Sequence, residues 1–128
     1  MRGVRGLVAA LLVFAIACSD TRARPVPPII ALVFDTTQVI RSPGLLVGTV
    51  EITASGGLDF IHMTLVTGDS TFLLDSLEGY AGETEIVRPI QWLITPGLAP
   101  GTTLHFRVMA RDFVDFETAD TVHFQTRP

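Results

Sequence analysis

Residues 101–126 read GTTLHFRVMARDFVDFETADTVHFQT. Leu104, Phe106, Val108 and Ala110 alternate with His105, Arg107, Met109 and Arg111. A period of two puts the first set on one face of a strand and the second set on the other. An acidic interruption follows over residues 112–120, and alternation then resumes. Val122 and Phe124 fall on one side; Thr121, His123 and Gln125 fall on the other. Two such runs with a polar connection predict an antiparallel hairpin with one buried face. Such a face needs a second layer to cover it, and the upstream chain has to supply that layer.

Working outward, the same alternation recurs. Residues 29–35, IIALVFD, are short, apolar and β-rich, and predict a first strand. In residues 46–54 the inward set is Leu46, Gly48, Val50, Ile52 and Ala54; Val47, Thr49, Glu51 and Thr53 face out. Ser55-Gly56-Gly57 breaks that run. Residues 60–66 put Ile61, Met63 and Leu65 inward, with His62 and Thr64 outward. Gly68-Asp69 marks a turn, residues 71–77 a shorter strand and residues 78–84 a loop. Residues 85–94 carry Ile90, Trp92 and Ile94 in step, and Pro89 assigns this strand to a sheet edge or breaks it. No stretch of residues 29–128 has a helical period. Seven short strands in about a hundred residues predict a sandwich of two antiparallel sheets.

The N-terminus reads as an address. Arg2 and Arg5 precede the apolar run LVAALLVFAIA at residues 7–17. That is too short to span a bilayer, which takes about 20 residues, and it fits a signal peptide helix. Ala15-Ile16-Ala17-Cys18 resembles the lipobox of bacterial lipoproteins, with Ala15 where that family usually has leucine. The resemblance implies cleavage after residue 17 and acylation of Cys18, and Ser19 points to the outer membrane, facing the periplasm or the surface. Cys18 is the only cysteine, so no internal disulfide forms. Two or more acyl chains give stable anchoring. Residues 18–28 then form the lipidated cysteine and a proline-rich tether, reaching roughly 30 Å at about 3.1 Å per residue. The domain itself is expected over residues 29–128.

Gly57-Leu58-Asp59-Phe60-Ile61-His62-Met63-Thr64-Leu65 resembles the third strand of bacterial immunoglobulin-like domains, a group that includes fibronectin III-like and cadherin-like folds. Leu104-x-Phe106-x-Val108-x-Ala110-x-Asp112 and Thr121-Val122-His123-Phe124 are similar to their last two strands. Leu104 stands where tyrosine is frequent, and the Cys–Trp–Cys core of antibody domains is absent. The resemblance implies a seven-stranded immunoglobulin-like antiparallel β-sandwich with a binding, spacer or adhesion role and no catalytic residues.

Nine basic residues, all arginine, stand against thirteen carboxylates. Nucleic-acid binding needs clustered positive charge, so that partner class is not expected. No G-x-S-x-G turn and no phosphate-cradling glycine loop occurs, and the reading is not an enzyme. No cofactor is expected.

Asp112, Asp115, Glu117 and Asp120 crowd the last loop and invite calcium, although their spacing is not that of an EF-hand. The alternative is that Asp112 bonds the turn's own amides. His62, His105 and His123 face outward on strands that such a fold makes neighbours. Aligning Ala110 with Val122, however, sets His123 across from Met109 and leaves His105 near Arg127. Four residues along a strand is about 13 Å, too far for one ion, so no metal site is expected.

Phe113, Val114 and Phe116 place large apolar groups among acids at a loop tip, and Tyr80 lies in the other long loop. They are candidates for partner contact, or they fold back over the open end of the sandwich. The resulting expectation is a lipid-anchored binding or structural module of the bacterial cell envelope, contacting an envelope protein. A carbohydrate-binding module is the alternative, and it would lean on Trp92 and Tyr80 as the sole Trp and Tyr.

Overall fold

Period-2 alternation recurs along the computed structural model, which describes residues 26–128, and all seven of its elements there are strands. They are β1 (Ile29–Val33), β2 (Gly44–Thr53), β3 (Leu58–Thr67), β4 (Phe72–Gly79), β5 (Glu85–Ile94), β6 (Thr103–Asp112) and β7 (Glu117–Gln125). A three-stranded sheet runs β1-β2-β5 and a four-stranded sheet runs β4-β3-β6-β7, with all strand pairs antiparallel. The signal peptide, Cys18 and most of the tether lie outside the described residues.

The inward sets read from the sequence meet between the sheets. Leu46, Val50 and Ile52 from β2 and Ile90 and Ile94 from β5 face Ile61, Met63 and Leu65 from β3 and Leu104, Phe106, Val108 and Ala110 from β6. All are buried. Fully burying a side chain of this size contributes roughly 1.5–3 kcal/mol, so the alternation is itself the main folding information.

Aromatic rings fill the middle. Phe106 lies 5.1 Å from Phe34 and 5.2 Å from Trp92, centroid to centroid, the latter edge-on at 73°. Phe34 also tilts against Phe124. Gly48 is the inward β2 position beneath Phe34, and a Cβ there would overlap the Phe34 ring. Pro89 sits opposite Thr49 on β5, an edge strand of its sheet, and leaves the strand unbroken.

Several boundaries and one register differ from the sequence reading: β1 stops at Val33 rather than Asp35, and β2 begins at Gly44 rather than Leu46. β4 runs on to Gly79, and β7 begins at Glu117 rather than near Thr121. Ala119 and Asp120 are poor strand formers, yet with Thr118 they pair with Met109, Val108 and Ala110. Backbone hydrogen bonds to β6 hold them at the sheet edge whatever their propensity. Ala110 is therefore opposite Thr118, not Val122, and the hairpin slides by four residues from the expected alignment.

Candidate functional site

The turn that sets this register is built on Asp112. Its side chain is fully buried, and its Oδ1 accepts from the amides of Val114 at 3.0 Å and Phe116 at 2.8 Å. The Asp112 amide in turn donates to the Phe116 carbonyl at 3.0 Å. Asp115 takes the positive φ of 68° that closes the loop, a conformation Asp tolerates better than most residues. The expected interruption of nine residues shrinks to four, and Asp112 acts as its internal strut.

The other carboxylates of the acidic run turn elsewhere. Asp115 pairs with Arg111 at 2.6 Å, and Glu117 reaches the same guanidinium at 3.6 Å. These two acids hold the Arg111 guanidinium above its usual value, Asp115 first. Asp120 sits opposite Val108, well down β7 from Asp112, and caps the Thr121 amide. Among the described residues no three His, Cys, Asp or Glu side chains converge on one point, so the acidic run forms no multi-carboxylate cluster.

Phe113 and Val114 are both half exposed, at 55% and 49%. They also lean on neighbouring loops. The Phe113 amide donates to the Gly57 carbonyl at 2.9 Å, and the Val114 side chain lies over Gly56, which has no Cβ to obstruct it. Phe116 is partly buried. Tyr80 belongs to the same end of the sandwich, but its ring packs against the core, and burial pushes its phenol pKa up. This end is a knit of three loops, with the Gly82 amide donating to Leu58 and the Leu58 amide to Glu83. Gly57 and Gly82, both at positive φ, let the two backbones approach closely. Trp92 faces the core rather than solvent, so it offers no open platform for a sugar ring.

The outer face of the three-stranded sheet, which the sequence reading did not single out, carries more. On the three-stranded sheet, Ile29, Val33, Leu45, Val47, Val87 and Leu93 all point to solvent. Leu45 is opposite Leu93 and Val47 opposite Gln91, so these side chains form one continuous surface across β2 and β5. Leu93 is 72% exposed and Val87 68%. Glu51 is the only charge in the middle of this face, with Glu85 at its end. The signal was present as apolar residues at outward strand positions, but only the strand order joins them into a patch.

The outer face of the four-stranded sheet is mixed: its imidazoles and charges are interleaved with Val66 and Met109, and Phe72 and Leu77 stand exposed on β4. His62 contacts Asp75 across β3 and β4. His105 and His123 are directly opposite each other on β6 and β7, with their Nδ1 atoms 2.5 Å apart and rings edge to face. This overturns the expectation that the two are offset by four residues along the strands. The four-residue slide of the hairpin is the cause.

At the end of the sandwich opposite the Asp112 turn lies a cavity of about 390 Å³, lined by Thr67, Asp69, Thr71, Leu98, Thr102 and Thr103 among others. Asp69 accepts from the Thr67 and Thr71 hydroxyls and the Thr71 amide. These bonds, that from Thr67 foremost, hold its carboxyl pKa below the usual value. Against known proteins, the chain matches no protein-family model and no curated protein.

Proposed function

We propose that this chain is an immunoglobulin-like contact module of the bacterial cell envelope, held to a membrane by lipid on Cys18, and that it engages an envelope protein through the outer face of its three-stranded sheet. The carrying observation is that apolar face. Monomeric soluble proteins rarely leave a contiguous patch of this kind uncovered, and patches rimmed by polar residues mark contact sites. Three strands about 4.8 Å apart and up to ten residues long present roughly 450 Å², about half of one side of a standard interface. The strand order, with β3, β6 and β7 consecutive in one sheet, supports the immunoglobulin-like reading.

Photo-cross-linking residues placed at Val87 or Leu93 should yield discrete adducts in envelope preparations. The same groups at Arg107 or Thr121 on the opposite face should yield few. Equal yields from the two faces, or none from Leu93, would refute this choice of face. Leu93→Asp should abolish the adducts formed from Val87 while shifting stability by no more than about 0.5 kcal/mol. The anchor is tested separately, since Cys18→Ser should release the protein from the membrane fraction. A glycan-binding role would use the hydroxyl-lined cavity beside Asp69 instead, and soluble-glycan binding lost on Asp69→Asn with the fold intact would favour it.

A further inference from the structure

The outer face of the β6–β7 hairpin carries one arrangement that the contact role does not use. His105 and His123 form a cross-strand pair, and the hydrogen bonding of the hairpin fixes which kind. The Asp112 amide bonds to the Phe116 carbonyl and the Thr126 amide to the Thr102 carbonyl. Bonded pairs therefore fall at even positions of β6, and His105–His123 is a non-bonded pair. Side chains stand closest together at such pairs. The two Nδ1 atoms point at each other at 2.5 Å with the rings at 88°. At that separation one nitrogen donates and the other accepts, because two imidazole N–H groups would collide.

We infer that His105 and His123 form a two-histidine chelate for a borderline divalent transition ion of the Zn²⁺, Cu²⁺ or Ni²⁺ class. Imidazole suits these ions, whereas Ca²⁺ and Mg²⁺ prefer oxygen ligands. Two bonds of about 2.0–2.1 Å to one ion at a tetrahedral angle set the nitrogens about 3.3 Å apart, so the rings need to part by a little under about 1 Å. The ion takes the place of the shared proton, which returns through water to Nε2 of the ring that donated it, so neither imidazole changes charge. Space for further ligands lies alongside, where a hollow of about 250 Å³ is lined by His123, Gln125, Thr103, Gln38, Thr36 and Arg127 among others.

The surroundings constrain what completes the shell. Val66 on β3 is the third member of the row and offers no ligand. Arg107 lies two residues along the same face of β6, and Arg127 borders the hollow. No carboxylate among the described residues joins the pair. Water and a small anion therefore fill the open positions, the anion drawn by the two guanidinium groups.

The experiment is a Zn²⁺ titration of the untagged full chain carrying Cys18→Ser, which removes the one thiol that would compete. Imidazole nitrogen resonances and the thermal midpoint are followed together. Zn²⁺ should move the His105 and His123 resonances in step and raise the midpoint by tying β7 to β6. Both responses should vanish in His105→Gln and in His123→Gln, and persist in His62→Gln. All three positions face outward, so these variants keep the fold. Unmoved resonances in the parent chain, or a response that survives either single substitution, would overturn the inference.

Discussion

The two outer faces of the sandwich arise from one rule and differ in everything else. Each is the outward half of a period-2 pattern whose inward half is buried. On the three-stranded sheet the outward half includes Ile29, Val33, Leu45, Val47, Val87 and Leu93, with Glu51 and Glu85 its charges. On the four-stranded sheet His62, His105, Arg107, Arg111 and His123 stand among Val66, Phe72, Leu77 and Met109. Folding needs only the inner halves, so the outer halves are free to carry function. The face carrying the arginines and histidines remains in water at the lower cost. The three-stranded face, with six exposed apolar side chains and fewer charges, is the costlier to leave bare, which is why we propose the contact role for it.

Both faces hang from one inner layer, and Phe106 is its centre. Phe106→Ala removes the ring that Phe34 and Trp92 both pack on. The expected loss is about 3–5 kcal/mol, measured by urea unfolding. Cross-linking from Leu93 and the pairing of His105 with His123 should weaken together under mild denaturant. If one face kept its behaviour while the other lost it, the two sheets would not share a core.

Asp112 sharpens the contrast, because it serves one face only. Asp112→Ala leaves the Val114 and Phe116 amides without their acceptor and should cost about 1–3 kcal/mol. The four-residue turn then no longer dictates the alignment of β7 on β6. Coupling between the His105 and His123 rings, read from their imidazole resonances, should loosen, while Leu93 cross-linking stays as it was. An unchanged pair of histidines would show that the strands, not the turn, hold the register.

This register is also where the sequence stopped being legible. Ala110 opposite Val122 and Ala110 opposite Thr118 both set even against even, so both put Phe106 and Phe124 inside. A slide by an even number of residues is invisible to alternation, whereas a slide by one would turn every side chain over. The inward sets of β2, β3, β5 and β6 were therefore readable, and the identity of His123's neighbour was not. Ala119 and Asp120 hid the start of β7, since neither residue type favours a strand. The apolar face was hidden differently. Val47 and Leu93 are 46 positions apart in sequence, and only the placing of β5 beside β2 makes them one surface.

The smallest expected effect compares the sheets through one acid each. Asp69 sits in the turn between β3 and β4 of the four-stranded sheet; Asp35 follows β1 of the three-stranded sheet. Asp69 accepts from the Thr67 hydroxyl and from the Thr71 hydroxyl and amide. Asp35 accepts from the Thr37 hydroxyl and amide. In both, side-chain hydrogen bonding is the leading cause that lowers the folded pKa below 3.8. A lowered folded pKa means the unfolded chain binds the proton first. The contribution is thus complete above pH 3.8 and fades as pH falls through the folded value. Both groups are open to solvent and screened, so the slope is shallow. Thermal midpoints followed from pH 5 down to pH 2 should flatten in Asp69→Asn more than in Asp35→Asn, because Asp69 has the additional donor. An equal change in the two variants would mean that the Thr67 hydroxyl contributes nothing beyond what a single threonine supplies at Asp35.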